Sequence, residues 1–256
     1  MGVKIISIEG NIGSGKSTVI HNLEQKLKDN KNYVFLREPV DIWQTIKDNY
    51  EKTILEKFYE SQEKYSFAFQ VMAYATRSSI LQEAIRKNPE CKYVLCERSL
   101  EADNRIFAKM LYDDDKMEKV EYEIYEYFYK TRKQDMDLDA VIYIDADANT
   151  CLERIKKRSR NGETNITLDY LQNCKNYHDN WLLGDDVCYK DYIPYANISY
   201  YFENMPSLNT IYSGHNLENL QVMHVDANPS ATYNIQDKND IGEKWLEIIK
   251  EFIDGL

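Results

Sequence analysis

The sequence predicts an α/β protein with a five-stranded parallel sheet flanked by helices. Short apolar runs rich in β-branched residues alternate with longer amphipathic stretches, as buried parallel strands alternate with their helical crossovers. The predicted strands are Lys4–Ile8, Tyr33–Leu36, Tyr93–Cys96, Ala140–Ile144 and Val222–Val225. A chain of 256 residues with 43% hydrophobic content can build one core, so residues 1–256 are expected to form a single domain.

Helices are predicted between these strands from the 3.6-residue spacing of apolar side chains. The first is expected to cover Ser14–Lys28, and the others residues 51–87, 100–132 and 167–182 and Ile241–Ile253. Residues 183–220 contain Pro194 and Pro206 and show no clear period. This stretch is therefore predicted to be a long irregular insertion.

Composition and charge exclude several classes of protein. The chain carries 32 Lys and Arg against 43 Asp and Glu, a formal charge of −11, which argues against a nucleic-acid polymer as partner. No apolar run approaches the roughly 18 residues that a membrane span needs, and no targeting signal is visible. We therefore expect a cytoplasmic protein without a membrane partner. Seven acidic residues and two lysines fall in residues 113–129, so almost half of the net charge lies on one predicted helix.

Residues 10–17 match the pattern GxxxxGK[ST] between a predicted strand and a predicted helix. Its glycines let successive backbone N–H groups point at phosphate oxygens, and the helix N-terminus adds its positive end. Lys16 is expected to reach the β- and γ-phosphates and Ser17 to help hold Mg²⁺. The motif predicts a P-loop NTPase fold. The predicted ATP-binding residues are Gly10, Asn11, Ile12, Gly13, Ser14, Gly15, Lys16, Ser17 and Thr18.

The remaining motifs of a regulatory GTPase do not occur in the sequence. No Asp-x-x-Gly sequence is found, and Asp237-Lys238-Asn239-Asp240 lacks the Asn or Thr that a guanine-reading motif places before its lysine. A switch GTPase is therefore disfavoured.

Charged residues follow the second and third predicted strands, as Arg37-Glu38 and Glu97-Arg98. The carboxyl ends of the strands line the ligand crevice of an open parallel sheet. A carboxylate there can accept a proton from an alcohol or hold a metal ion, and an arginine can neutralise a transferring phosphoryl group. Each charge taken alone fits a solvated strand end equally well, but their joint placement favours catalysis.

A cationic run follows the fourth predicted strand, with five Lys or Arg among residues 154–160. Such runs are usually solvated helix faces. After a P-loop sheet, the run could instead form a short arginine-rich lid, over about residues 154–166, that supplies arginines to the phosphates.

Taken together, these features resemble the deoxyribonucleoside kinase family, which includes deoxycytidine and deoxyguanosine kinases. The resemblance covers most of the chain, from Ile5 to about Leu182 and again in the last strand and helix. It is carried, in order, by Gly-Asn-Ile-Gly-Ser-Gly-Lys-Ser-Thr at 10–18, Arg-Glu-Pro-Val at 37–40, Phe69-Gln70, Arg77, Glu-Arg-Ser at 97–99, Asp103, Arg105-Ile-Phe107, Arg158-x-Arg160, Glu163, Leu-Asp-Tyr-Leu at 168–171 and His178-x-x-Trp181.

The resemblance implies roles in catalysis for the charged residues of the glycine-rich loop and of the segments after the second and third predicted strands. Glu38 is expected to accept the proton of the deoxyribose 5′-hydroxyl, with Glu97 as the runner-up for this role. Arg98 is expected to steady that carboxylate and the reacting phosphoryl group, beside Lys16. Glu97 and Ser17 are expected to serve Mg²⁺.

The resemblance also implies where the deoxynucleoside and the lid lie. Tyr59 and Glu163 match positions that hold the sugar 3′-hydroxyl, and Gln70 matches an amide that bonds the base edge between Trp43 and Phe107. The predicted lid residues on the ATP side are Arg154, Arg158 and Arg160. In the family the lid carries a second carboxylate, where this chain has Gly162.

Arg77 and Asp103 resemble the pair found in family members that accept deoxycytidine and purine deoxynucleosides rather than thymidine. The sequence therefore predicts ATP-dependent 5′-phosphorylation of such a deoxynucleoside by a homodimeric kinase, with the tyrosine-lined helix at 112–129 as the candidate dimer face. Two alternatives stay open: a nucleoside monophosphate kinase of the thymidylate kinase type, and a nucleotide-sensing protein without catalysis.

Overall fold

The computed structural model describes residues 2–132, 136–160, 162–183, 220–234, 236–237 and 239–256. The predicted insertion at 183–220 lies almost entirely outside the described residues, as does Asn161 of the predicted lid. Within the described parts, no helix is both long and apolar enough to cross a membrane.

A five-stranded, fully parallel sheet forms the centre of the molecule, which confirms the predicted fold class. The strands are β1 (Lys4–Glu9), β2 (Tyr33–Leu36), β3 (Tyr93–Glu97), β4 (Ala140–Asp145) and β5 (Gln221–Asp226), in the spatial order β2-β3-β1-β4-β5. All five predicted strands are present, four of them a residue or two longer than predicted. Ile8 of β1 pairs with Glu97 of β3, and Glu9 with Tyr143 of β4, so several strand ends meet at one edge.

The helices connect these strands and cover both faces of the sheet. They are α1 (Lys16–Leu27), α2 (Val40–Thr45), α3 (Ile54–Glu60), α4 (Gln62–Lys87), α5 (Leu100–Ala102), a π-helical segment (Asp103–Ala108), α6 (Lys109–Asp113), α7 (Lys119–Arg132), α8 (Ala148–Arg158), a 3₁₀ turn (Glu163–Asn165), α9 (Leu168–Leu182) and α10 (Ile241–Asp254).

Two predicted long helices are interrupted in the structure. The region 51–87 divides into α3 and α4 at Ser61, and α3 begins at a capping box in which Thr53 and Glu56 bond each other's backbone N–H groups. The region 100–132 breaks between Asp113 and Lys119, within the acidic stretch.

The main core lies between the central strands and the helices α1, α8 and α10. Its centre is formed by fully buried side chains such as Ile6, Ile8, Leu23, Ile142 and Ile249. This packing fixes the loop that joins β1 to α1. A second cluster packs α4 and α7 onto the other face, with Tyr74, Val94 and Tyr125 buried. The strand ends are therefore held rigidly from both faces.

Candidate active site

A large cavity of about 830 Å³ opens at the carboxyl ends of the strands. Its two ends differ in chemistry: one is formed by the glycine-rich loop and cationic side chains, and the other by aromatic side chains. The volume falls near the upper limit for ligand sites in proteins. Such a cavity can hold a polyanion and an aromatic ring at the same time.

The backbone of the glycine-rich loop takes conformations that other residues adopt only with strain. Gly10 has φ +144°, and a Cβ there would lie 2.3 Å from the carbonyl oxygen of Ile144. Gly13 has φ +82°, and a Cβ there would lie 2.6 Å from the carbonyl oxygen of Cys151. Glycine is therefore required at both positions, because the loop packs directly on the chain around β4 and α8.

Lys16 begins helix α1 and is buried in the loop. Its ammonium group donates a 2.7 Å hydrogen bond to the carbonyl oxygen of Asn11. Burial, helped by the charge of Arg98, lowers the pKa of Lys16 to about 8. A cation held in this environment gains from any phosphate that neutralises it.

The hydroxyl of Ser17 donates a 2.5 Å hydrogen bond to Oε1 of Glu97. The first turn of α1 and the end of β3 thus bring together a hydroxyl and a carboxylate, the hard oxygen ligands that Mg²⁺ prefers. Among the described residues, no group of three or more His, Cys, Asp and Glu side chains could hold a metal by itself. A metal at this pair would therefore also need oxygen ligands from water or from phosphates.

Glu38 lies between two arginines that come from different elements. Its Oε1 atom is 3.3 Å from Nε of Arg98 and 3.4 Å from Nη2 of Arg77. Burial alone would raise the pKa of Glu38, but Arg98, Arg77 and Lys16 outweigh it and hold that pKa below its usual value. The carboxylate is therefore ionised at neutral pH and able to accept a hydrogen bond.

Arg77 and Asp103 form a buried ion pair behind Glu38. Arg77 Nε donates to Asp103 Oδ2 at 2.9 Å, and Arg77 Nη1 donates to the carbonyl oxygen of Glu97 at 2.8 Å. Burial lowers the pKa of Arg77, but the carboxylates of Asp103 and Glu38 outweigh it and raise the pKa above its usual value. These bonds fix both side chains in one geometry, since the Arg77 guanidinium is planar.

The other end of the cavity is aromatic. Trp43 packs edge-on against Phe69 with ring centroids 5.3 Å apart, and Phe58 stacks on Phe69 at 4.6 Å. Phe107 lies under the guanidinium of Arg98, whose central carbon is 4.6 Å from the ring centroid. Flat rings at these positions suit a flat ligand such as a nucleobase.

Gln70 lies on α4 in this aromatic end and is 2% exposed. Its Oε1 atom is buried and has no hydrogen-bond partner among the described residues. An unsatisfied buried amide oxygen costs free energy, so a ligand that donates a hydrogen bond to it gains that energy back. Tyr59 lines the same cavity, and burial followed by the charge of Glu163 raises the pKa of its hydroxyl.

The predicted lid is partly helical. Arg154 and Arg158 lie on α8, and the chain then reverses through Gly162, which has φ +86°. Arg158 Nη2 donates to both carboxylate oxygens of Glu163 at 2.7 Å, and Arg160 Nη1 lies 3.4 Å from Oε1.

Arg154 contacts the backbone of the glycine-rich loop, and its role in the lid stays a prediction. Its guanidinium donates to the carbonyl oxygens of Ser14 at 3.0 Å and Ala227 at 2.8 Å. Arg154 therefore braces the glycine-rich loop against the segment after β5, while its side chain still lines the cavity.

Most of the predicted site residues line this one cavity. They are Ile12, Gly13, Ser14, Gly15, Lys16, Ser17, Thr18, Glu38, Trp43, Tyr59, Gln70, Arg77, Glu97, Arg98, Asp103, Phe107, Arg154, Arg158, Arg160 and Glu163. Gly10 and Asn11 are not among the lining residues. Asn11 instead donates a 2.8 Å hydrogen bond to the carbonyl oxygen of Leu171 and so supports the loop from behind.

Sequence reasoning missed some residues at the site. Phe58 forms an aromatic wall together with Phe69, and the sequence marks Phe69 only as part of a family motif. The segment 229–233, which also lines the cavity, falls in the region of residues 226–233 where the resemblance implies an adenine pocket. Glu9 is fully buried beside the site, and burial raises the pKa of its carboxyl group against the opposing charge of Arg98. Its position at the end of β1, directly before the glycine-rich loop, was the available signal.

A family model described as deoxynucleoside kinase matches residues 6–251. The chain belongs to the deoxynucleoside kinase family. It is 35% identical to the deoxycytidine kinase of Homo sapiens, over 99% of this chain and 92% of the human protein. It is 33% identical to the probable deoxycytidine kinase of fowlpox virus (70% of this chain, 72% of the viral protein) and 30% identical to the mitochondrial deoxyguanosine kinase of Xenopus laevis (71% and 74%).

This chain is thus a deoxynucleoside kinase with a P-loop fold, as predicted, and the family uses ATP as its phosphate donor. The thymidylate kinase alternative is not favoured. A non-catalytic nucleotide sensor loses support on the same grounds, because the matched family is one of kinases.

Proposed function

We propose that this deoxynucleoside kinase transfers the γ-phosphoryl group of ATP directly to the 5′-hydroxyl of deoxycytidine or a purine deoxynucleoside. The observation that carries the proposal is the position of Glu38, whose ionised carboxylate lies between Arg98 and Arg77 in the cavity that the glycine-rich loop also lines. A nucleoside whose base lies against Gln70 directs its sugar towards this carboxylate.

In this reaction Glu38 accepts the proton of the 5′-hydroxyl as its oxygen attacks the γ-phosphorus. The bond between the γ-phosphorus and the β,γ-bridging oxygen breaks, and ADP leaves. Arg98 holds the carboxylate in place and opposes the charge on the transferring group. Lys16 and the backbone N–H groups of the loop bind the phosphates. The transition state of phosphoryl transfer is loose, so positioning and charge provide most of the catalysis.

We further propose that Ser17 and Glu97 hold Mg²⁺ together with the phosphates of ATP. The 2.5 Å contact between their oxygens supports this assignment, since both atoms must reach the same ion. When bound, the ion neutralises charge on the β- and γ-phosphates. The hydrogen bond that Ser17 donates to Glu97 keeps the two oxygen ligands close together before ATP binds.

The preference for the base rests on Gln70 and the Arg77–Asp103 pair. The orphaned Oε1 of Gln70 requires a donor, and the amide nitrogen of the same group can donate in return. Asp103 adds hydrogen-bond acceptors near the edge of the nucleobase. These acceptors favour a base that carries an exocyclic amino group over thymine, which carries an oxygen at that position. Tyr59 and Glu163 remain the proposed partners of the sugar 3′-hydroxyl, and Arg158 and Arg160 those of the phosphates.

A homodimer is also proposed, with helix α7 as its face. Four large apolar side chains of this helix are exposed along one stripe: Val120, Ile124, Tyr127 and Phe128. Their spacing of four, three and one residues places them on one side of the helix, whereas Tyr125 and Tyr129 pack into the core. A second copy would cover this stripe.

Cytoplasmic location stays a prediction of the sequence.

The proposal is tested by measuring kcat/KM for deoxycytidine, deoxyadenosine, deoxyguanosine and thymidine with ATP, and by identifying the products. We expect 5′-monophosphates, with a nucleoside that carries an amino group preferred over thymidine. Formation of a diphosphate from a monophosphate would contradict the proposed acceptor, and thymidine as the best substrate would contradict the proposed base preference.

A further inference from the structure

Glu9 is a buried carboxyl group beside the active site to which the proposed mechanism gives no role. It is the last residue of β1 and directly precedes the glycine-rich loop. Its side chain is fully buried, and its Oε1 atom accepts a 2.6 Å hydrogen bond from the hydroxyl of Ser99. Burying a carboxyl group costs free energy unless the group is hydrogen-bonded. The hydrogen bond from Ser99, in the turn after β3, offsets part of that cost.

Ser99 holds a turn that carries three site residues. Its hydroxyl donates to Glu9 and accepts a 3.0 Å hydrogen bond from the backbone N–H of Ala102, so its orientation is fixed. Ser99 follows Glu97 and Arg98, and its carbonyl oxygen accepts from the N–H of Asp103 at 3.1 Å. A shift of Ser99 would therefore move three site residues together: Glu97, Arg98 and Asp103.

Arg98 itself lies in a strained backbone conformation. Its φ is +67°, in the left-handed region that residues other than glycine rarely adopt. Such a conformation persists only where the surroundings hold it. Two contacts from β1 flank it: the N–H of Arg98 donates to the carbonyl oxygen of Ile8 at 3.1 Å, and the side chain of Glu9 holds Ser99.

We propose that Glu9 is a positioning residue for phosphoryl transfer, which acts through Ser99 to hold Arg98 in its left-handed conformation against Glu38. The contact also ties the turn after β3 to the strand that ends in the glycine-rich loop. The contact thereby fixes the position of the phosphate-binding loop relative to Glu38, the proposed general base. This inference rests on the proposed roles of Arg98 and Glu38.

Substitutions at both ends of the contact test it. We expect Glu9→Ala and Ser99→Ala each to lower kcat about 10- to 100-fold with little change in KM for either substrate. Glu9→Gln and Ser99→Thr keep an acceptor and a hydroxyl, and are expected to restore most of the activity. The double variant Glu9→Ala/Ser99→Ala should be no slower than either single variant, because both remove the same contact.

Asp145→Ala is the control for loss of a partly buried, ion-paired carboxylate at the end of a neighbouring strand. It is expected to lower stability but to leave kcat unchanged. If Glu9→Ala does not fold, the Ser99→Ala and Ser99→Thr pair carries the same test.

Arg98→Ala and Glu38→Gln, assayed in parallel, separate this inference from the proposed function. If both of these retain kcat, the proposed function fails. If both lose kcat while Glu9→Ala and Ser99→Ala stay within about twofold of the unsubstituted enzyme, only the role of Glu9 is refuted. An equal loss of kcat in Asp145→Ala would also refute it, since general destabilisation would then explain the effect.

Discussion

The Nε atom of Arg98 lies 3.3 Å from Oε1 of Glu38, so the charged residues that follow β3 and β2 meet as an ion pair in the cavity. Arg98→Ala removes this partner and the cation nearest to the proposed path of the phosphoryl group. We expect kcat to fall about 10²- to 10³-fold, with a much smaller change in the Kd of ATP, because Lys16 and the loop still bind the phosphates.

Arg86→Ala is the control for this experiment. Arg86 lies in the last turn of α4, where its side chain is exposed and pairs only loosely with Glu83. Its removal should leave kcat unchanged. An Arg98→Ala enzyme with normal kcat would show that the ion pair has no part in the transfer step.

Gln70→Ala should weaken the binding of the nucleoside. The substitution removes the amide that offers both an acceptor and a donor to the base, and such a loss costs about 1–3 kcal/mol. We therefore expect kcat/KM for the preferred nucleoside to fall about 10- to 100-fold while KM for ATP stays nearly constant. Gln82→Ala, on the same helix but bonded to Met136, is the matched control. Equal effects of the two substitutions would show that Gln70 is only a structural amide.

Asp145 provides a test of stability that is separate from catalysis. It accepts a 2.6 Å hydrogen bond from Lys175, and Nε2 of His224 lies 3.1 Å from its other oxygen. Burial would raise the pKa of Asp145, but the bonds to His224 and Lys175 outweigh it and lower the pKa from 3.8 to about 2. Because the folded pKa lies below the unfolded value, the ionised carboxylate stabilises the fold at neutral pH, and this stabilisation is lost as pH falls through 3.8 towards 2.

Asp145→Asn should therefore lower the free energy of unfolding by about 2 kcal/mol at neutral pH. Urea denaturation at several pH values measures the difference between the two proteins. We expect that difference to shrink steadily below about pH 4. A difference that is independent of pH would show that the carboxylate is not preferentially ionised in the folded state.

The exposed stripe of α7 predicts that assembly depends on this helix. Phe128→Glu places a charge among Val120, Ile124 and Tyr127, which should shift sedimentation from dimer to monomer. Tyr50→Glu is the control, since Tyr50 is also exposed but lies outside α7. A concentration-independent monomer for the unsubstituted chain would contradict the dimer, and a dimer that survives Phe128→Glu would place its face elsewhere.

The sequence predicted those parts of the molecule that local patterns determine. The glycine-rich loop is such a part, because its chemistry needs particular residues at fixed spacing. The strand order brings Glu38 and Glu97 to one edge, and parallel topology made that predictable from their positions after β2 and β3. The buried Gln70 and the Arg77–Asp103 pair could be placed only through the family resemblance, since each lies on a helix where a packing role is equally common.

Long-range packing determines what the sequence left out. Arg37 and Glu38 are adjacent and both line the cavity, yet Arg37 pairs with Glu24 of α1 at 2.6 Å, whereas Glu38 lies between Arg98 and Arg77. Arg154 and Arg158 belong to the same cationic run and the same helix, but Arg154 donates to the backbone carbonyls of Ser14 and Ala227, whereas Arg158 pairs with Glu163. Glu9 lies just beyond the predicted first strand, and only the pairing of β1 with β3 brings Ser99 beside it. No periodicity or local spacing contains these relations.

The two carboxylates at the phosphate end can be separated by their own substitutions. Glu97→Gln should raise the Mg²⁺ concentration needed for half-maximal activity, because Glu97 is the proposed metal ligand beside Ser17. Glu38→Gln should leave that concentration unchanged. If Glu97→Gln instead abolished turnover at saturating Mg²⁺ while Glu38→Gln did not, the general base would be Glu97.

The rate of phosphoryl transfer in Glu38→Gln tests the account most directly. The measurement is a single-turnover assay with saturating ATP and deoxycytidine, together with the Kd of ATP for the same variant. We expect the transfer rate to fall about 10²- to 10⁴-fold while the Kd of ATP changes little. A transfer rate near that of the unsubstituted enzyme would contradict the assignment of Glu38 as the base.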